Sequence, residues 1–203
     1  MRESGVGRVL VASLHQAIGD VMPTRLGFYE SWLTPDGLRE GTIGLAPLYA
    51  VLSFLRQEGA QYDAVVRAAG TYAAEWTVES MSPSARRLIG ALPRVIRRRV
   101  VLGRARRLVR ESFVGNRASW RIRKGTGRVD LRGSVFCEVR EPVGHSLCGY
   151  YAASFARMLA LFELECPVTI DACRGAAAGA DRCSLAVQFS AVAPEAVSEA
   201  EPA

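Results

Sequence analysis

No stretch of this sequence reaches the roughly 18 to 20 consecutive apolar residues that a membrane-spanning helix needs. Histidine occurs twice, at His15 and His145, and lysine once, at Lys124. The first 136 residues contain no cysteine. There is no Gly-x-Gly-x-x-Gly turn between a strand and a helix, no phosphate-cradling Walker loop and no nucleophile-elbow serine. A Rossmann nicotinamide or flavin site, a P-loop nucleotidase and an α/β-hydrolase are therefore excluded as recognisable motifs. Any Ser-His-Asp or Cys-His device would have to use one of two histidines, neither in a familiar context. The amino-terminal residues do not follow the pattern of a secretory signal, so a cytoplasmic protein is expected.

What is present is an ordinary globular composition: 203 residues, 49% hydrophobic and 23% charged, with a net charge of +6. The charge is polarised. Arg86 to Arg132 holds fifteen arginines and Lys124 against only Glu111 and Asp130, a local net of +14, which leaves −8 for the rest. The five cysteines (Cys137, Cys148, Cys166, Cys173 and Cys183) all lie in the last third. In a cytoplasmic protein that usage points to thiols or metal ligation and not to a disulfide framework.

Apolar spacing predicts helices over Gly5 to Asp20, Pro47 to Glu58 and Gln61 to Met81. Thr34-Pro35-Asp36-Gly37 reads as a turn. Ser82-Pro83 is a helix-start pair, a capping hydroxyl followed by proline at the first helical position. Ala85 to Val114 then reads as a basic amphipathic helix. From Trp120 the pattern alternates: 121–123, 128–132 and 134–140 read as strands joined by glycine turns. Leu147 to Phe162 is helical, and Val168 to Cys173 and Cys183 to Phe189 are strands. The order predicts an α+β fold, a helical amino-terminal half packed on an antiparallel sheet with a β-β-α-β-β carboxy-terminal part. Residues 1–190 are expected to form one domain, and 191–203 a disordered acidic tail.

Cys148 at a helix start, Cys173 at a strand end and Cys183 at the next strand start could supply three thiolates to zinc, with Asp171, His145 or Glu165 as the fourth donor. The same cysteines also read as small buried hydrophobes. The arginine-rich segment 86–110 reads as a solvated face, or as a contact for an anionic membrane surface or an acidic partner. Nucleic acid ranks last, because no stacking aromatics accompany the basic residues. The series Tyr150, Tyr151, Phe155, Met158 and Phe162 reads as core, or as a binding wall if the domain holds a cavity.

Gly133 to Phe136, the run Cys148-Gly149-Tyr150-Tyr151-Ala152-Ala153-Ser154-Phe155, Cys173, Gly179-Ala180-Asp181-Arg182-Cys183 and Leu185-Ala186-Val187 together resemble the 4-vinyl-reductase (hydrocarbon-binding) domain family over about residues 117–190. Ala69 to Ala74, Leu88 to Arg99 and Ser112-Phe113-Val114-Gly115 resemble its bacteriochlorophyll-biosynthesis member. The resemblance implies a sandwich similar to the core subunits of the TRAPP tethering complex, a homodimer, and an apolar pocket for a small hydrophobic molecule, here a tetrapyrrole. The pigment-pathway member is named a reductase, but this sequence offers no hydride-carrier site, so a binding or delivery role in pigment biosynthesis is expected, with no catalytic residue assigned. The alternatives are a vinyl reductase or its auxiliary, acting on a chlorophyllide-type substrate with Tyr150, Tyr151 or His145 as proton donor, and an interaction scaffold on a pathway enzyme or a membrane. The expected pocket wall is Phe113, Trp120, Phe136, Tyr150, Tyr151, Ala153, Phe155 and Met158. Sensory relatives bind zinc through Cys, then Glu-x-x-Cys, then Cys. Cys148, Cys173 and Cys183 match the thiols, but Ile170 stands where the glutamate would be, which leaves Asp171 as the nearest substitute.

Overall fold

In the computed structural model, which describes residues 5–139, 143–176 and 180–189, the helical half comes first. It comprises α1 (Arg8–Val21), a short α2 (Leu26–Tyr29), α3 (Pro35–Glu40), α4 (Leu45–Gln57), α5 (Ala60–Glu79), α6 (Pro83–Ala91) and α7 (Arg94–Ser112). The hairpin β1 (Arg117–Arg123) and β2 (Thr126–Arg132) follows, then α8 (Gly149–Ala160), β3 (Val168–Ala172) and β4 (Cys183–Gln188). The expected α+β class is what the structure shows, with strands ordered β1-β2-β4-β3 and every pair antiparallel. The acidic tail expected at 191–203 lies outside the described residues.

The helices form where the apolar period is 3.6 residues. Leu10, Leu14, Ala17 and Ile18 line one face of α1 and are fully buried. They meet α5, which packs on α1 on one side and α8 on the other. Gly70 allows that second approach: a Cβ there would stand 2.2 Å from the Tyr150 carbonyl oxygen. In the sheet, Trp120 pairs with Val129, Val129 with Leu185, and Leu185 with Ile170, giving one apolar row across all four strands. Val129 and Leu185 at its centre have no exposed surface. α8 lies between α5 and this half, touching α7 and β3.

Three expectations are corrected. Thr34 to Gly37 opens a helix: Thr34 caps α3 by accepting from the Gly37 amide, with Pro35 behind it, the same chemistry that Ser82 and Pro83 supply to α6. The basic segment is two helices, because Pro93 takes the position before α7 and the chain is extended at Leu92 and Pro93. Ser134 to Val139 is not a strand. It contains a 3-10 turn, Val135–Cys137. Gly133 is the cause: its φ is 70°, and a side chain there would meet the Gly115 carbonyl at 2.2 Å. The chain leaves the sheet at that residue, and Val135, Phe136 and Cys137 turn inward.

Candidate metal centre

Four thiols meet in the carboxy-terminal half. Cys137 comes from the 3-10 turn, Cys148 caps α8, Cys173 follows β3 and Cys183 opens β4. All four are buried, and their sulfurs lie within 4.8 Å of one another. Cys137 Sγ is 3.2 Å from Cys148 Sγ and 3.5 Å from those of Cys173 and Cys183. Cys148 and Cys173 are also 3.5 Å apart. A tetrahedral zinc with sulfurs at about 2.3 Å has edges of about 3.8 Å, and these four separations are a few tenths of an ångström shorter. All are free thiols, as is Cys166, which stands half-buried outside the group.

The surrounding backbone is arranged for thiolates. The Leu147 amide donates to Cys173 Sγ and the Arg174 amide to Cys183 Sγ, each at 3.3 Å. Tyr62 donates to the Leu147 carbonyl at 3.2 Å, and Arg56 to the Phe136 carbonyl at 3.2 Å, one residue from Cys137. The ion pair of Arg174 with Glu138 at 3.0 Å ties the Cys173 turn to the Cys137 turn. Such outer contacts orient ligands and spread the negative charge of four thiolates. Hydrogen bonds among the thiols divide their proton affinities. Bonding with Cys137 holds Cys173 below the ordinary thiol value and pushes Cys148 and Cys183 above it, while Cys148 in turn lowers Cys137. Binding a cation therefore has to displace the protons that the four thiols share.

The three cysteines expected as ligands converge. The fourth donor is Cys137 and none of the expected candidates. Asp171 is exposed on β3 and faces Thr169 at 3.5 Å, Glu165 is exposed, and exposed His145 has its Nδ1 3.1 Å from the Val143 carbonyl oxygen. The signal that identifies Cys137 is Gly133, which ends the strand and frees the residues after it to turn inward.

The residues expected to wall a pocket form solid packing. Phe136, Tyr150, Tyr151, Phe155 and Met158 have no exposed surface. Phe136 stacks on Tyr150 at 4.9 Å and meets Tyr151 edge-on at 5.5 Å. Asn116 donates to the Tyr151 hydroxyl at 2.9 Å. Burial pushes the Tyr150 hydroxyl up to about 12. Phe113, Trp120 and Ala153 are half-buried at the margins. A cleft of about 510 Å³ lies elsewhere, between the start of α1, the end of α5 and the end of α7. Val6, Val9, Trp76 and Leu108 give it apolar walls, Arg8 and Arg110 supply positive charge, and Glu111, whose carboxylate is paired with Arg107 at 2.7 Å, also lines it. A second cleft, of about 710 Å³, is lined by Tyr49, Ser53, Arg56, Glu138 and Val139 on the flank of the thiol cluster.

No protein-family model and no curated protein matches this chain. The fold is similar to that of an H-NOX domain from Shewanella oneidensis, solved by NMR in the Fe(II)CO ligation state, with a TM-score of 0.52 and 14% sequence identity. The alignment covers 91% of this chain and 98% of that one. At that identity the likeness is one of fold: a helical half joined to an antiparallel sheet. Among the described residues, no helix is long and apolar enough to cross a membrane.

Proposed function

We propose that this protein binds a small, flat, hydrophobic molecule carrying carboxylates, a tetrapyrrole by class, and holds or delivers it without transforming it. The observation that carries this reading is the cleft of about 510 Å³, which joins the Trp76 ring and aliphatic walls to two arginines. A volume of this size with few convergent polar groups suits a small-molecule site. The Trp76 ring is already stacked on Tyr72, centroids 5.8 Å apart, and can offer its other face to a planar ligand. Arg110 is exposed and suited to a carboxylate at the rim, while the Arg8 guanidinium also donates to the Arg39 carbonyl. Neither histidine lines the cleft, so shape and charge hold the ligand.

Two likenesses support the class of ligand. The sequence motifs resemble a family whose pigment-pathway member is assigned to bacteriochlorophyll synthesis, and the fold is similar to that of a domain solved with iron(II) and carbon monoxide bound. The thiol cluster has a separate, architectural part. Four sulfurs leave no open coordination position, so the residues fit a zinc ion that ties the 3-10 turn, α8, β3 and β4 together. A vinyl-reductase reading draws less from the geometry, because the expected proton donors Tyr150, Tyr151 and His145 do not line the cleft.

Native mass spectrometry of protein expressed in its own host tests this directly. An added mass of several hundred daltons that leaves on denaturation supports it, and a mass near that of zinc reports on the thiols separately. Titration with protoporphyrin should quench tryptophan fluorescence, and Trp76→Ala should weaken binding by roughly tenfold where Trp120→Ala does not. Bare protein from the host, together with no porphyrin quenching, would sink the proposal.

A further inference from the structure

The α6–α7 pair is built like an interface that folding leaves uncovered. From Arg86 to Arg110 there are ten arginines and no acidic residue. The buried residues of α7, Val101, Leu102, Ala105, Leu108, Val109 and Ser112, occupy one side of the helix. Ile96, Arg99, Arg106 and Arg110 recur on the opposite side at helical spacing and are exposed. Folding makes little use of this charge. Arg97 pairs with Glu163 and Arg107 with Glu111, whereas Arg86, Arg87, Arg94, Arg99, Arg104, Arg106 and Arg110 form no ion pair among the described residues.

Aliphatic side chains stand out of the same surface. Leu88 is 67% exposed, Val95 64% and Ile96 49%, and all three flank the extended corner at Leu92 and Pro93. Three branched apolar side chains held in water at one corner are disfavoured unless something covers them. The neighbouring charge decides what that is. A second copy of this chain, paired through the same face, would bring the same uncompensated arginines against its own. A nucleic acid would satisfy the arginines but offers nothing to the aliphatics, and no aromatic residue lies between Arg86 and Arg110 to stack on a base. An anionic bilayer accommodates both: lipid phosphates take guanidinium forks, and the boundary of the acyl chains takes protruding aliphatics.

We propose that the α6–α7 corner docks this protein on an anionic lipid bilayer, with Leu88, Val95 and Ile96 entering the acyl boundary and Arg86, Arg87, Arg94 and Arg99 lying on the lipid phosphates. The full chain should co-sediment with phosphatidylcholine vesicles containing about one-third phosphatidylglycerol, and at least about tenfold less with phosphatidylcholine alone. Binding should fall as salt rises, because exposed charges are screened over a Debye length of about 10 Å at 0.1 M. The triple substitution Leu88→Ser, Val95→Ser, Ile96→Ser keeps every charge and should lower vesicle binding on the order of tenfold. Arg87→Gln with Arg94→Gln and Arg99→Gln should lower it by at least as much and flatten the salt dependence. Phe54→Ser removes an exposed aromatic on α4 and should change nothing. Circular dichroism and thiol-bound metal content confirm that each variant is folded. Equal binding to both vesicle types overturns the proposal, as does anionic binding that the serine triple leaves unchanged. Retention on an acidic protein or polynucleotide matrix that outcompetes anionic vesicles also overturns it, and reassigns the surface to that class of partner.

Discussion

The two halves of the molecule close themselves by different means. In the helical half, α1, α4 and α5 bury Leu10, Leu14, Ile18, Leu48, Leu52 and Val65 completely, in a stretch of sequence without a single cysteine. Burial of aliphatic surface is enough there, because each helix presents a continuous stripe to its neighbours. The sheet half has four short strands, and its edges, β1 and β3, are largely exposed. Its connecting segments bury Val135, Phe136 and Leu147 completely, and beside them four thiols converge from the 3-10 turn, α8, β3 and β4. A metal held there would cross-link four separate segments in addition to their apolar packing. Cysteine is confined to the half assembled from turns and strand ends, while the long helices α1, α4 and α5 close without it.

The sharpest way to break this contrast is to remove a thiol. Cys173→Ser should abolish retention of zinc and destabilise the protein by more than about 4 kcal/mol, read as a lowered Tm. Asp171→Ala, on the exposed strand, should leave zinc content intact and change stability by less than about 0.5 kcal/mol. Hydrogen exchange after chelation should show protection lost at 133–139, 143–148, 173–176 and 180–183 but kept in α1 and α5. Acid should do the same as a chelator. Cys148 and Cys183 hold their protons above the ordinary thiol value, so metal affinity falls as pH falls and recovers as pH rises. If both halves lose protection together, the two are energetically one unit and the contrast fails.

A smaller effect probes the other half. Leu14→Ala, at a fully buried site on α1, should cost about 2 to 5 kcal/mol in denaturant unfolding while leaving zinc bound in the folded fraction. The smallest expected effect lies where α1 meets α5. The Tyr72 hydroxyl bonds to Asp20 Oδ2 at 2.6 Å and, with Gln16, holds that carboxyl below its ordinary value. Its stabilising contribution is therefore present above the usual carboxylate range near about 4 and is lost as pH falls through the lowered value. Tyr72→Phe should move the Asp20 titration, followed by NMR, upward toward the ordinary range.

Much of the fold was legible in the residues. The helix start at Ser82-Pro83, the apolar stripes of α1, α4 and α5 and the β1–β2 hairpin depend on interactions spanning a few residues, and each is where the pattern predicts it, except that β1 begins at Arg117, four residues ahead of the expected 121–123. Segment 134–140 misled because Val135, Cys137 and Val139 alternate as a strand would, while the left-handed Gly133 redirects the chain. Losing that turn also lost Cys137 as the fourth thiol. The aromatic series on α8 fits core or wall by its spacing alone, and α5, lying across it, makes it core. The cleft beside Trp76 leaves no signature in the sequence because it joins the start of α1 to the ends of α5 and α7.

By itself the sequence determined the element types, the α+β class, the basic stretch and the presence of free thiols, because hydrogen-bond periodicity, capping and net charge are local properties of a chain. The tertiary structure alone decided that Cys137 joins the other three thiols, since Cys137 and Cys183 meet across 46 positions. It also decided which face of α7 stays in water. Both depend on how separate elements pack, and the spacing of residues along one segment carries no record of that.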